Sequence, residues 1–528
     1  MSNVSQKGFV KIEMPKGTRL GKIAMEMEAR YSSGEFIFEW WRFVEYVRTL
    51  LEYGIAEEEF VDIAKEIMES VRVYKDAEWI ENDKRLKWWQ ADALRFLWGR
   101  WLMKGVAQRG GILHLDMGLG KTFIILKFLE EVAKRQNRML SVIVVPAYLR
   151  ENWKAEIDKW WNSVDANIIV TSGRKTPIQL RNNIPNIIIT SYTSLSSYIN
   201  QLTQIVDVLV LDESHKIKNY KAQRTHNVLF MKPRFTIEST GTLFLNYPHE
   251  VWSQYERIIK DTYWYWSSHM KYWDWTFRYC YVMSNPFNGA KIIKGINKHS
   301  AWELQARLAP IHLRMSKEEI IGIDKPIITL HKVNVKYDIS EEEYERIIKS
   351  VEADKIPAQH YTQKLRKAAL EKIPYVRELV KDLVEQHRKV IVFTWHVKVS
   401  EVLEEELRKH ASVVAMYSSD SYEKRWEKIQ QFKKGDANVF IGSLGVASEG
   451  LNLQEATDVV FVQLPYTSGM FRQAIDRARR MKEDGTFNIP MIHVVLGKSD
   501  DVRVGDIELA LWNILKRKSN AYELVFNG

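Results

Sequence analysis

Cysteine is all but missing from this chain. Cys280 stands alone among 528 residues, which excludes an internal disulfide framework and any zinc site built from a cluster of cysteines. A reducing, intracellular setting is the simplest reading. Long apolar runs are missing too: none approaches the roughly 20 residues that a bilayer-spanning helix needs. The opening Met1-Ser2-Asn3-Val4-Ser5-Gln6-Lys7 leads into no signal-peptide core, so the expected location is cytoplasm, nucleoid or nucleus, with no membrane partner. Low-complexity segments are absent as well.

What remains is the composition of a soluble globular protein, 45% hydrophobic and 27% charged. At 528 residues the chain is too long for one ordinary core, and two or three domains are expected. Its 77 lysines and arginines outnumber 67 acidic residues, a net charge of +10. That surplus fits a polyanionic partner without separating DNA from RNA or acidic lipid. The 19 tryptophans are many, and the aromatics cluster instead of spreading.

The chemistry begins at His114-Leu115-Asp116-Met117-Gly118-Leu119-Gly120-Lys121-Thr122. Gly111-Ile112-Leu113 reads as the end of a buried strand and Phe123–Leu129 as a buried helix, the context a phosphate-binding loop requires. Gly118 and Gly120 let backbone N–H groups close on phosphate oxygens, and the helix N-terminus adds its positive dipole end. Lys121 is expected to pair with the outer phosphates of ATP and the Thr122 hydroxyl to ligate Mg²⁺. Leu115 stands where the strict pattern asks for glycine, so only the second half of the motif is regular. A second site follows the apolar run Val206–Leu211, which delivers Asp212 and Glu213 at the carboxyl end of a strand. Asp212 is placed to hold Mg²⁺, and Glu213 to orient and deprotonate the attacking water. A solvated acidic turn is the competing reading, and the phosphate loop about 90 residues earlier weighs against it.

The pattern along the chain predicts an α/β protein: two tandem, doubly wound parallel-sheet lobes, a helical insertion and a small N-terminal helical module. Residues 1–82 form that module, with Phe36–Val47 and Ile63, Ala64, Ile67, Met68 and Val71 in helical periodicity and Trp40/Trp41 as core. Residues 83–255 make the first lobe, with strands at 142–146, 187–190, 206–212 and 235–240. Residues 256–330 are an aromatic-rich helical insertion, in which Tyr263–Trp266 and Tyr272–Tyr279 pack as core, with stacking on bases the minority reading. Residues 331–385 are a charged helical linker, and residues 386–528 a second lobe that lacks a phosphate loop. That asymmetry suggests a nucleotide site completed across a cleft. In the second lobe Arg477 and Arg480 lie three apart, a spacing that puts both on one side of a helix. Brought to the γ-phosphate by lobe closure, they would act as arginine fingers.

These motifs strongly resemble superfamily 2 helicase-type ATPases, specifically the SWI/SNF-like group of duplex-DNA translocases, from about Arg85 to Lys516. Lys87-Trp88-Trp89-Gln90 is similar to the adenine-recognition element, with Gln90 implied to bond the base edge. Asp116–Thr122 is similar to motif I, including the tolerated non-glycine at Leu115. Val145-Pro146 with Asn152-Trp153, and Thr190-Ser191-Tyr192, resemble motifs Ia and Ib. The implied nucleic-acid contacts are Pro146, Thr190, Ser191, Tyr192 and Ser443. Asp212-Glu213-Ser214-His215 resembles motif II, Thr240-Gly241-Thr242 motif III, Gly450-Leu451-Asn452-Leu453 motif V, and Gln473 with Arg477 and Arg480 motif VI. His215, Thr240, Gly241, Thr242, Gly450, Asn452 and Gln473 are implied to couple hydrolysis to movement. Phe277–Cys280 and Leu313-Arg314 resemble landmarks of the group's helical insertion.

Several positions depart from the group: Leu243 for a proline, Gln463 for an acid, Tyr466-Thr467-Ser468 for Trp-Asn-Pro, Met481-Lys482-Glu483 for Ile-Gly-Gln, and Glu449 at an often small position. None removes a catalytic group. No histone-reading segment is evident, which argues against nucleosome remodelling. The resemblance implies that the two tandem parallel-sheet lobes are RecA-like and that the chain is a monomeric ATP-driven motor on double-stranded DNA, with single-stranded DNA or RNA as other substrates. A strand-separating helicase and a nucleotide-switched nucleic-acid scaffold are the alternatives.

Overall fold

In the computed structural model the described residues are 9–14, 16–26, 29–32, 35–39, 46–47, 50, 55, 78–102, 110–136, 138–171, 176–202, 206–244, 247–260, 269–284, 289–308, 311–322, 325–353, 356–417, 419–447, 453–480, 482, 486–499, 504 and 506–526. The chain divides into two compact units, Met1–Ser316 with Glu523–Gly528, and Lys317–Tyr522. No helix among the described residues is long and apolar enough to cross a membrane.

The first unit opens with β1 (Phe9–Glu13), β2 (Arg30–Ser32) and β3 (Glu35–Glu39), an antiparallel sheet in the order β1-β3-β2, with a helix at Arg19–Glu26. Here the expectation of a purely helical module is corrected. Phe36 and Phe38 are both fully buried, two residues apart, which is the period of a strand. Trp40, Trp41 and the Ile63–Val71 set lie outside the described residues.

Its main sheet holds β4 (Gly110–Leu115), β5 (Leu140–Val145), β6 (Asn167–Val170), β7 (Asn186–Ser191), β8 (Val208–Asp212) and β9 (Phe235–Thr240). Beyond a hairpin of β10 (Cys280–Ser284) and β11 (Lys291–Ile296), β12 (His312–Met315) returns to that sheet. The order is β12-β4-β9-β8-β5-β7-β6, parallel throughout. Every residue of β4, β5, β7, β8 and β9 is buried, as expected of parallel strands covered on both faces. The insertion is therefore mixed, not helical: a helix at Tyr272–Tyr279, the hairpin, a helix at Ala301–Leu308, and a strand that belongs to the lobe. Tyr263–Trp266 lies outside the described residues.

The second unit carries β13 (Ile328–Asn334), β14 (Val390–Thr394), β15 (Val413–Met416), β16 (Val439–Ser443), β17 (Asp458–Phe461) and β18 (Met491–Lys498). They form a parallel sheet in the order β13-β18-β17-β14-β16-β15. The stretch expected to be a helical linker begins with β13, an edge strand whose residues alternate between exposed and half-buried. Its helices follow at Glu341–Glu352, Gln359–Glu371 and Ile373–Glu385. Ser340 and Glu343 form a reciprocal capping box at the first of them. Val376, Val380 and Leu383 from the third pack with Val390, Val392 and Val460 of the sheet, so the linker is part of this unit's core.

Candidate active site

Five strands of the first unit end at one edge of the sheet, and each ends at a motif. β4 runs into the phosphate loop, β5 into Pro146, β7 into Ser191, β8 into Asp212 and β9 into Thr240. The carboxyl edge of a parallel sheet is where helix N-termini and loop amides converge. In the loop, Gly118 and Gly120 have φ of 89° and 87°, left-handed values that suit glycine, and the helix Lys121–Arg135 starts directly after Gly120. A methyl group on Gly120 would run into the Gln90 amide. Trp89 Nε1 donates to the Leu119 carbonyl at 3.1 Å and Gln90 Nε2 to the same oxygen at 3.4 Å. Gln90 thus borders the loop. Lys121 Nζ donates to the carbonyls of Leu115 (2.6 Å) and Asp116 (3.2 Å), and Gly241 lies beside it.

Asp212 and Glu213 follow at the end of β8. Asp212 Oδ2 accepts from Trp153 Nε1 at 2.8 Å and Oδ1 from the Glu213 amide at 3.0 Å, while Tyr192 Oη donates to the Asp212 carbonyl at 2.8 Å. Burial, together with the neighbouring Glu213 charge, pushes the Asp212 carboxyl up to about 6, against the lowering effect of the Trp153 hydrogen bond and Lys121. A carboxylate so placed gains from a cation. The Thr122–Asp212 donor set therefore fits the oxygen-ligating chemistry of Mg²⁺. Glu213 itself has φ 52° and ψ 52°, an uncommon conformation for a residue with a side chain.

His215 links this site to the next motif. Its Nδ1 lies 3.2 Å from Glu213 Oε2 and 3.3 Å from Thr240 Oγ1. Thr240 Oγ1 in turn donates to the Thr242 carbonyl (2.8 Å) and accepts from the Thr242 amide (3.0 Å). Ser214 Oγ donates to Gln254, whose amide donates to the Leu243 carbonyl. Leu243, in the position expected to hold proline, is fully buried.

The residues expected to touch nucleic acid fare differently. Thr190, Ser191 and Tyr192 are all buried, and their hydroxyls are used inside the lobe. Thr171 Oγ1 donates to Thr190 Oγ1, Ser191 Oγ accepts from the Ser194 amide, and Tyr192 serves Asp212. Each of these hydroxyls therefore has a partner within the lobe. Pro146 is also buried, and Ser443 is half-buried at the end of β16. The Trp153–Asp212 and Tyr192–Asp212 contacts were missed because a tryptophan or tyrosine carries no signal of its distant partner.

In the second unit, the helix Ser468–Ile475 carries Gln473 and stops before the arginines. Arg477 and Arg480 therefore lie in the turns that follow, not on one helix face as expected. Asn488 Nδ2 pins this turn through the carbonyls of Ala456 (2.6 Å) and Ala478 (2.8 Å). Burial and the nearby Arg477 charge lower Arg480 to about 9, which leaves its guanidinium charged at neutral pH. Lys317 Nζ, itself fully buried, bonds Asp476 (3.3 Å) and the Arg479 carbonyl (2.5 Å), and Glu318 accepts from Arg479 at 2.8 Å. Leu453 N donates to the Arg477 carbonyl, while Gly450 and Asn452 lie outside the described residues. Gln463, replacing the group's acid, accepts from the amides of Trp395 and His396, and Tyr466 packs edge-on against Trp395.

A model described as the SNF2-related domain matches residues 89–385, more than half of the chain, and one for the helicase conserved C-terminal domain matches residues 371–482. The chain belongs to the SNF2-related family of superfamily 2 helicase-type ATPases. Among SNF2-related relatives it is similar to the human DNA annealing helicase and endonuclease ZRANB3, 26% identical over 441 residues that cover 78% of this chain and 38% of that protein. Similar too is the SWI/SNF-related matrix-associated actin-dependent regulator of chromatin subfamily A-like protein 1 of Bos taurus, 25% identical, covering 78% of this chain and 43% of the relative. The chain spans about two fifths of the length of the curated relatives it matches. Among solved structures, the Sulfolobus solfataricus SWI2/SNF2 ATPase core in complex with dsDNA aligns with 84% of this chain and 97% of its own, at 18% identity and a TM-score of 0.39.

Proposed function

We propose that this SNF2-related chain hydrolyses ATP in response to DNA and turns the hydrolysis into movement along the duplex, remodelling protein–DNA complexes or branched and partly unwound DNA. The observation that supports a motor over a passive switch is the side-chain path Glu213–His215–Thr240–Thr242. It ties the carboxylate expected to activate water to the loop after β9, so a change at the γ-phosphate has a mechanical route out of the site. DNA as the partner rests on the net charge of +10 and on relatives named for acting on DNA.

In this reading the amides of Gly118, Leu119 and Gly120 cradle the phosphates and Lys121 neutralises the outer ones. Gln90 reads the adenine edge. Thr122 and Asp212 would hold Mg²⁺, which supplies charge neutralisation on the phosphate oxygens. Glu213 accepts the proton of the attacking water while His215 fixes its orientation. Arg477 and Arg480 stabilise the charge that develops as the γ-phosphoryl group transfers.

The deciding assay measures ATP turnover with duplex, single-stranded and forked DNA and with RNA, followed by displacement of a triplex-forming third strand. Duplex-stimulated turnover with third-strand displacement and no unwinding is expected. Efficient strand separation would instead make the protein a helicase. Nucleotide binding without stimulated turnover would make it a switched scaffold.

A further inference from the structure

Between Trp275 and Trp302 the chain contains no aspartate or glutamate, yet it carries Arg278, Lys291, Lys294 and Lys298. All four cations are exposed. This stretch covers the end of the helix Tyr272–Tyr279 and the whole β10–β11 hairpin. The helix is aromatic on two sides. Trp275 and Tyr279 are buried, with Trp275 Nε1 donating to the Pro248 carbonyl at 3.0 Å and its ring against Tyr255. Trp273 and Phe277, one turn apart on the outer edge, are 37% and 50% exposed with ring centroids 5.9 Å apart. Lys291 lies 5.7 Å from the Phe277 ring.

In the hairpin, Tyr281 and Met283 alternate onto one face and are 51% and 59% exposed. Ile292 stands opposite Met283, and opposite Tyr281 is Gly295, which has no side chain to cover the ring. The buried aromatics hold this element to the first unit, so the outer rings are presented on a fixed support. Asp274 is the one acid on that helix, and it is exposed; flat apolar faces among an excess of cations suit a polyanion that also offers flat apolar faces. A duplex hides its bases in the stack, whereas an unpaired strand offers them.

We infer that the β10–β11 hairpin and the outer edge of the adjoining helix bind an unpaired DNA strand, with Tyr281 and Phe277 stacking on bases and the four cations following the phosphates. This inference rests on the reading of the chain as a DNA motor and supplies the contact that would distinguish a fork or branch from plain duplex.

The test uses the full chain and fluorescence anisotropy with labelled oligo-dT, oligo-U and blunt duplex, alongside duplex-stimulated ATP turnover. Tyr281→Ala is expected to weaken oligo-dT binding roughly five- to hundredfold. Tyr281→Phe should retain it, and duplex binding and duplex-stimulated turnover should stay unchanged. Unaltered oligo-dT binding in Tyr281→Ala, or an equal loss on blunt duplex, overturns the inference. Oligo-U bound as tightly as oligo-dT with the same dependence on Tyr281 overturns its assignment to DNA. Absence of DNA-stimulated turnover in the unaltered protein would remove the motor reading, while the anisotropy result still decides the hairpin's role.

Discussion

Glu213 combines three features at one position: a left-handed backbone, an imidazole 3.2 Å from its carboxylate, and an aspartate neighbour pushed to about 6. The uncommon φ turns the chain sharply after β8, and the consecutive carboxylates meet different partners, Trp153 and His215. Glu213→Gln preserves shape and removes the proposed base. Single-turnover hydrolysis is expected to fall roughly 10²–10⁴-fold with ATP binding retained, as read by a fluorescent nucleotide. Comparable loss of binding would mean that Glu213 acts in holding nucleotide. Residues like these were legible in the sequence because their chemistry is narrow: glycines before Lys-Thr, and paired acids after an apolar run. Trp153 and Tyr192 were not, since their partner Asp212 lies 59 and 20 residues away and an aromatic suits packing equally well.

At the scale of elements, the central strands were readable as continuous apolar runs, and Phe235–Thr240 falls where expected. The edge strands β6 and β13 escaped because they are not buried on both faces. β13 reads Ile-Thr-Leu-His-Lys-Val-Asn, half polar, and was absorbed into a helical linker. That strand carries a chain of titratable groups. His331 Nε2 lies 3.0 Å from His493 Nδ1 and its Nδ1 2.9 Å from Tyr375 Oη. His493 Nε2 lies 3.0 Å from Asp458, which Arg388 also pairs. Burial and then His493 lower His331 below its ordinary 6.5, so the unfolded chain takes up the proton first. Its contribution to stability is complete above about 6.5 and is lost as pH falls through the lower folded value. His331→Leu is therefore expected to flatten the acid side of the melting-temperature profile, and hydrogen exchange in β13 should lose its pH dependence there. An unchanged profile would place the sensitivity elsewhere. Motif VI gives a second case at this scale. Its arginines sit on a turn that Lys317 and Glu318 brace from below. Lys317→Met removes one partner of a buried pair, a loss on the order of 3–5 kcal/mol when uncompensated. The variant should lower kcat with KM for ATP little changed, because the brace acts on the arginines and not on the phosphate loop. A rise in KM alone would contradict that role.

For the whole molecule, the decisive property is that the groups proposed for one reaction belong to two compact units: Lys121 and Glu213 in the first, Arg477 and Arg480 in the second. The second sheet has no phosphate loop of its own in the sequence, so the proposed reaction takes its nucleotide from a first unit. Whether that first unit is in the same chain separates a monomeric motor from an obligate oligomer, and a mixing experiment distinguishes them. Lys121→Ala should abolish nucleotide binding, while Arg477→Ala should bind ATP normally and lose on the order of 10³-fold or more in DNA-stimulated turnover. When each site is completed within one chain, every chain in an equal mixture of the two variants lacks an essential group, and the mixture stays as inactive as its components. When the site forms between chains, an Arg477→Ala protein supplies its phosphate loop to the arginines of a Lys121→Ala partner, and turnover returns in a concentration-dependent way. The expected outcome is no recovery at any protein concentration, the result that the proposed monomeric motor requires.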